Sequence, residues 1–134
     1  MANPRERFVR GSGVRGMAYP ITKGREGYWP RRNAAAIRKS SVINILGTMP
    51  GERVMEPEFG SSLPLLVFEP NDEILQQAII EETKGALHRW DPFIEVIGVA
   101  PEISDDSVKV FIDYIDKRST ALERKRQVFS FKRV

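Results

Sequence analysis

The chain contains no cysteine, so disulfide bonds and thiolate metal sites are excluded. Its single histidine, His88, stands beside Arg89 in a charged stretch and is predicted to be solvated. No group of carboxylates has the spacing of a metal site, and no cofactor is expected. No apolar run approaches the roughly 18 residues of a membrane span. The charged N-terminus also lacks the apolar core of a secretory signal, so we expect neither a membrane anchor nor export by that route.

The 21 basic and 18 acidic residues are distributed unevenly along the chain. Residues 1–40 hold ten Lys/Arg and two Asp/Glu, a net charge of +8. Residues 41–116 hold four Lys/Arg and fifteen Asp/Glu, a net charge of −11. Residues 117–134 hold seven Lys/Arg and one Asp/Glu, a net charge of +6. The two basic ends are therefore predicted to contact acidic surfaces. Those surfaces are protein, nucleic acid or the chain's own centre.

The first thirty residues are rich in glycine and arginine and show little hydrophobic periodicity. Such a composition favours an extended basic arm over a packed element, although its few aromatic residues indicate that parts of the arm dock on something. The remaining residues have the apolar content of one ordinary domain. We therefore predict an arm over residues 1–30 and a single α+β domain over residues 31–134.

Two segments have the spacing of amphipathic helices. The first covers residues 31–46 and is expected to begin at an Asn33 cap. The second covers residues 71–90, with Asn71 as its expected cap and Pro92 ending it. Apolar residues 63–68, between the helices, are expected to supply further core mass. The side chains expected on the buried stripe of the second helix are Ile74, Leu75, Ala78, Ile79, Ala86, Leu87 and Trp90.

Alternating apolar residues predict three strands, over residues 93–100, 108–116 and 127–133. A polar turn at residues 104–107 makes the first two an antiparallel hairpin. The predicted fold is α+β, with two helices packed on a small, mainly antiparallel sheet. Because a charged linker, residues 117–126, precedes the last strand, we expect that strand to reach beyond its own hairpin, pair with a partner, and be dispensable for the folded core.

Three segments carry long motifs in a fixed order. Residues 40–55 contain the pattern Leu-x-Thr-x-Pro-Gly-Glu-Arg, and residues 56–63 follow with Pro-x-Phe-Gly. Residues 86–96 supply the third segment, around Trp90-Asp91-Pro92-Phe93. In this order and spacing the segments resemble the baseplate wedge family of contractile phage tails, over roughly residues 35–116. The same family includes the lysozyme-like baseplate subunit of type six secretion systems.

The resemblance implies a structural protein without enzymatic activity. Its expected place is the virion, in the tail baseplate, after assembly in the host cytoplasm. The implied partners are other baseplate wedge proteins, tail tube or hub proteins, and the tail sheath protein, whose first ring the chain would initiate by strand addition.

Partner-binding candidates follow from the same motifs. The family commonly shows Glu-Pro-Arg after the helical tryptophan, whereas this chain has Asp91-Pro92-Phe93, so a phenyl ring replaces a cation. The contact is then more apolar here, or Arg89 supplies the charge. An ordinary structural explanation stands beside each candidate: a fixed turn, a helix stop, or an edge strand of the domain itself. The candidates are Glu52, Arg53, Arg89, Asp91, Pro92, Phe93, Phe129 and Phe131.

Two alternative functions remain open at this point. Four arginines among the glycines of residues 5–15 would suit nucleic-acid phosphates, although no nucleic-acid-binding module is recognisable. Peptidoglycan hydrolysis would need two carboxyls in a pocket, one of them with a raised pKa. Carboxylates are available for this at Glu52, Glu56, Glu58 and Asp91, but all lie in charged or turn sequence.

Overall fold

The fold is α+β, as predicted: three helices and one three-stranded antiparallel sheet. The computed structural model describes Lys23, residues 34–119 and residues 122–133. The predicted arm, apart from Lys23, and the expected cap Asn33 lie outside the described residues. The elements are α1 (Ala34–Gly47), α2 (Leu63–Leu66), α3 (Glu73–Trp90), β1 (Ile94–Ile103), β2 (Ser107–Asp116) and β3 (Arg124–Lys132).

The sheet has β2 at its centre, with β1 and β3 as its two edges. The β2–β3 register runs without interruption from Ser107 opposite Lys132 to Ile115 opposite Arg124. β3 thus begins three residues before the predicted residue 127, so the linker is shorter than expected. Its basic first residues are compatible with a strand because their side chains point away from the core and bind a carboxylate on β2.

The core lies between one face of the sheet and the helices. Alternate residues of β2 share this face, and Val108, Val110 and Ile112 are fully buried. From α1, Val42 and Leu46 pack against the same core one helical turn apart. The predicted inward face of β2 is therefore confirmed.

The long helix α3 begins at a different cap from the one predicted. Asp72, not Asn71, has the extended backbone of an N-cap, and its carboxylate accepts a hydrogen bond from the Leu75 backbone N–H at 2.7 Å. Both residue types are good caps, so the sequence could not separate two neighbouring candidates. Because Ile74 then falls on the solvent side of the first turn, it is 78% exposed instead of joining the buried stripe.

The segment before α3 buries fewer apolar residues than predicted. Leu63, the first residue of the one-turn helix α2, and Val67, which caps its end, take the core positions. Leu65 and Phe68 therefore project from the opposite side and are 59% and 69% exposed. The expectation that all of residues 63–68 supply core mass was wrong for these two.

Candidate functional site

A cluster of one cation and two carboxylates lies where α1, the end of α3 and the end of β2 meet. Arg38 donates from Nη1 to both carboxylate oxygens of Asp91, at 2.9 and 2.8 Å, and from Nε to Asp116 at 3.3 Å. Both carboxylates are almost fully buried, and the Arg38 side chain is 12% exposed. Burial alone would lower the pKa of Arg38, but the hydrogen bonds and charges of Asp91 and Asp116 outweigh burial and raise it.

This cluster changes the role of Asp91. The side chain was predicted as a partner contact, yet it turns inward and holds Arg38. Its backbone N–H also caps α3 by donating to the Leu87 carbonyl at 2.9 Å. Sequence reasoning missed Arg38, although it lies one turn before Val42 on the buried stripe of α1. A cation on an apolar stripe is the signal that could have found it.

The exposed part of the same corner is built on Phe93. Its ring is 37% exposed, and the Arg118 guanidinium lies over it with Cζ 3.3 Å from the ring centroid. Pro92 beside it is also exposed. The predicted substitute for the missing family cation, Arg89, lies elsewhere: it pairs with Glu58 and covers the ring of Trp90. The cations beside Phe93 are therefore Arg118 and, with its Cζ 5.8 Å from the ring centroid, Arg38.

The turn motif forms a separate loop, residues 48–61. Its two predicted binding residues make contacts within the loop: the Glu52 carboxylate accepts from the Met49 backbone N–H at 3.0 Å. The guanidinium of Arg53 stacks on the Phe59 ring at 3.8 Å. Phe59 in turn packs against Trp90 with ring centroids 5.1 Å apart. The structure thus brings Arg53 and Arg89 to the same aromatic pair.

The side chains of Phe129 and Phe131 face the core. Their rings meet edge to face with centroids 4.6 Å apart and pack against the buried cluster, opposite Val110 and Val108. Both rings are half-buried, so truncating either one should cost less than the roughly 3–5 kcal/mol of a fully buried aromatic residue. This packing argues against the expectation that the last strand is dispensable for the folded core, and it leaves the backbone of β3 for any pairing with a partner.

The β3 backbone presents an open edge. Arg133 N–H donates to the carbonyl of Asp106, the next position of the β2–β3 register, at 2.7 Å. Residue pairs that exchange backbone hydrogen bonds alternate with pairs that do not along antiparallel strands. Counting back from Arg133, the odd-numbered residues from 125 to 131 are therefore the ones whose backbone groups bond to β2. No described strand pairs with the other side of β3. The backbone groups that face outward there belong to Arg126, Val128 and Ser130.

The opposite edge, on β1, is interrupted. Ser104 N–H donates to the Ser107 carbonyl at 2.8 Å, so the outward-facing positions of β1 are the odd-numbered residues 99–103. Pro101 stands at one of them and has no N–H to offer. The register also shifts between Val96 and Gly98. Bulges and proline are the devices that keep an edge from pairing, so the sheet has one blocked edge and one open edge.

An ion cluster marks the open edge. Asp113 on β2 accepts from Arg126 Nε at 2.7 Å and from Arg124 Nη2 at 2.9 Å. The hydrogen bond from Arg126, helped by the charges of Arg126 and Arg124 and opposed by burial, lowers the pKa of Asp113 from 3.8 to about 2. Two guanidinium groups on one carboxylate leave a net positive charge beside the edge.

The lowered pKa predicts an acid-sensitive contribution to stability. Because Asp113 binds its proton more weakly in the folded than in the unfolded chain, the cluster stabilises the fold above about pH 4 and loses this effect as pH falls towards about 2. Urea unfolding midpoints measured from pH 6 to 2.5 should fall less steeply with acidification in Asp113→Asn than in the parent. Asp105→Asn, in the exposed β1–β2 turn, is the control. Equal slopes for the parent and Asp113→Asn would contradict the prediction.

No group of three or more His, Asp or Glu among the described residues could hold a metal ion. None of the described helices is long and apolar enough to cross a membrane. A cavity of about 560 Å³ opens between α1 and β3, beside the open edge, and is bordered by Ala35, Lys39, Tyr114, Lys125, Arg126, Gln127 and Val128.

Comparison with known proteins agrees with the predicted resemblance. Residues 32–118 match the family model of baseplate wedge protein gp25. A candidate tail lysozyme from Geobacter sulfurreducens is 31% identical, covering 70% of this chain and 86% of that one, with a TM-score of 0.63. A chain of the postcontracted pyocin R2 baseplate is also 31% identical, covering 77% of this chain and 98% of that one, with a TM-score of 0.62.

A chain of the anti-feeding prophage baseplate covers 92% of this chain and 89% of its own length, with a TM-score of 0.64. Its identity of 15% shows the shared fold alone. No curated protein matches the chain. The fold and the comparisons together place the chain among the structural components of contractile-tail baseplates. Since the family model spans more than half of its length, the chain belongs to the baseplate wedge protein gp25 family.

Proposed function

We propose that the chain links the baseplate wedge to the hub region and initiates the sheath by accepting a strand along β3. The observation that carries this proposal is the asymmetry of the sheet: β3 offers an uninterrupted outward edge, whereas Pro101 and a register shift interrupt β1. Strand addition gains affinity from backbone hydrogen bonds and specificity from alternate side chains. The expected partners are other wedge proteins, tube or hub proteins and the sheath protein, in the virion tail after assembly in the host cytoplasm.

The charge of the edge indicates the chemistry of the arriving strand. Arg124, Arg126 and Lys132 project from the same side of β3 and are exposed. A partner strand with carboxylates opposite these residues would be steered to the edge and held in register. Since exposed charges are screened by salt, the rate of docking should fall as ionic strength rises.

The wedge contact is proposed for the corner formed by Pro92 and Phe93. Both are exposed, and Arg118 lies on the Phe93 ring. A flat apolar surface with an attached guanidinium suits a partner that offers an apolar side chain beside a carboxylate. Asp91 supports this corner from within by holding Arg38, and its carboxylate also accepts from the Phe93 backbone N–H at 3.3 Å.

A structural role also fits the carboxylates that hydrolysis would require. They are engaged in structural contacts: Glu52 with a backbone N–H, Glu58 with Arg89, and Asp91 with Arg38. Glycoside hydrolysis needs a paired acid and base facing a sugar-sized cleft. The arrangement of these side chains supports a structural protein.

Proline substitution at the open edge tests strand addition. Val128→Pro and Ser130→Pro each remove an outward-facing N–H while sparing the bonds to β2, and proline is tolerated on edges of this kind. We expect both variants to fold and to enter baseplates, but sheath rings on those baseplates should fall by about two- to tenfold, as the loss of one hydrogen bond implies. Electron microscopy of assembled particles measures this.

Matched variants make the result specific. Val128→Ala and Ser130→Ala keep the N–H groups and should nucleate sheaths normally. Phe129→Pro removes a donor to β2 as well as a packed ring, so it should fail to fold. Normal sheaths on baseplates that carry either edge proline would refute strand addition at β3, while leaving the wedge role intact.

A further inference from the structure

The tip of the 48–61 loop displays two apolar side chains to solvent. Val54 is 94% exposed and Met55 is 92% exposed, more than any other large apolar residue among the described residues. Single exposed apolar residues are common on protein surfaces, but two adjacent ones at the end of a projecting loop form a small knob.

The loop that carries this knob is held by its own hydrogen bonds. Gly51 N–H donates to the Pro57 carbonyl at 2.7 Å and closes the tip. Ser61 N–H donates to the Thr48 carbonyl at 2.9 Å and closes the base. The Thr48 hydroxyl reaches back to the Asn44 carbonyl at 2.6 Å and ties the base to α1. A loop fixed in this way loses little conformational freedom when it binds.

The charged residues of the motif support the knob from below. Glu52 and Arg53 were predicted to contact a partner, but Glu52 bonds the Met49 backbone N–H and Arg53 lies on the Phe59 ring. These contacts set the position of Val54 and Met55, which follow directly in the chain. Val54 and Met55 are thus the residues of the motif that remain available to contact a partner.

The charges of the loop that carries the knob indicate which kind of surface it binds. The loop also holds Glu52, Glu56 and Glu58, with two cations against them: Arg53 is near Glu56 at 3.8 Å, and Arg89 is paired with Glu58. Three carboxylates against two guanidinium groups leave a negative rim, which repels nucleic-acid phosphates and anionic lipids. An apolar centre with an acidic rim is complementary to a protein pocket with an apolar floor and lysine or arginine at its mouth.

We propose that Val54 and Met55 form a docking knob for such a pocket on a different protein of the baseplate. The knob itself lies on the loop after α1, and only the choice between another protein and a second copy of this chain rests on the strand addition proposed at β3. A second copy of this chain is the competing occupant, because the cavity between α1 and β3 also has lysines at its rim. That cavity borders the edge assigned above to an arriving strand, so we assign the knob to another chain.

Methionine oxidation provides a direct test on the intact protein. Met55 should be converted to its sulfoxide by hydrogen peroxide rapidly in the free chain, because it is almost fully exposed. In assembled tail particles its oxidation should be at least about tenfold slower, since a docked side chain is shielded from solvent. Mass spectrometry measures both rates, with partly buried Met49 as the internal reference. Equal rates for Met55 in the free chain and in particles would overturn the proposal.

Substitution provides the second test. Val54→Asn with Met55→Gln should leave thermal unfolding unchanged, because neither side chain is packed, but should reduce incorporation into baseplates by about tenfold or more. Met55→Leu keeps the apolar volume and should be incorporated normally. Normal incorporation of the Asn/Gln variant would contradict the knob. Sedimentation of the free chain as an oligomer that this variant dissociates would overturn the assignment to a different protein.

Discussion

Replacement of Arg38 by methionine is expected to lower the free energy of unfolding by about 3–5 kcal/mol. The substitution keeps a flexible apolar side chain but leaves Asp91 and Asp116 buried without their shared cation. A domain of this size has a total stability of about 5–15 kcal/mol, so the loss would be large. Urea unfolding followed by circular dichroism measures it. A change below about 1 kcal/mol would show that solvent screens the cluster.

A triple variant separates lost packing from uncompensated charge. Arg38→Met together with Asp91→Asn and Asp116→Asn removes all three charges, while each asparagine can still accept the backbone N–H that its carboxylate now accepts. Neutralising a buried cluster as a whole is often nearly neutral for stability. We therefore expect the triple variant to be more stable than Arg38→Met alone. If it is less stable, buried charge is not the cause of the loss.

Gly60→Ala is expected to destabilise the fold by about 1–3 kcal/mol from backbone strain alone, with a further cost from a collision. Gly60 has φ of +118°, a conformation that residues with a Cβ rarely adopt. A Cβ at this position would collide with the Thr48 carbonyl oxygen, which accepts the hydrogen bond closing the loop. The same urea titration measures the effect.

Gly51 supplies the matched control for this prediction. Its φ of +93° also disfavours a side chain, but nothing lies within 4 Å of the place its Cβ would occupy. Gly51→Ala should therefore cost about 1 kcal/mol, the part due to backbone conformation. Equal losses for the two variants would mean that the loop base moves to accept the extra methyl group.

Local patterns were sufficient to predict much of this fold. β2 has apolar residues at the alternate positions from Val108 to Tyr114, and α3 has an apolar stripe ended by Pro92, so both elements were predicted near their true bounds. The long turn motif was specific enough to indicate the family from sequence alone. These features depend on residues close in sequence, which is where periodicity and capping rules apply.

Features that depend on distant pairing were not predicted. Arg38 finds its carboxylates 53 and 78 positions away, and no spacing rule connects them. The early start of β3 depends on Asp113 accepting two arginines that otherwise suggest a linker. The same limit applies to the candidate site. The motifs located the corner and the loop, but which of their side chains reach solvent depends on how the folded chain buries them.

The long separations around α1 have a consequence for synthesis. Arg38 needs Asp116, and the Lys39 carbonyl accepts from Gln127, 88 positions later. Ribosomes add about 5–20 residues per second, so α1 emerges about 4–18 s before these partners exist. Until then α1 can pack only against α2 and α3, and Arg38 can pair only with Asp91, so its native contacts remain incomplete. Completion of the native domain therefore waits until β2 and β3 have been synthesised, and a nascent chain stalled before residue 116 should be more open to proteases and chaperones along α1 than the finished domain.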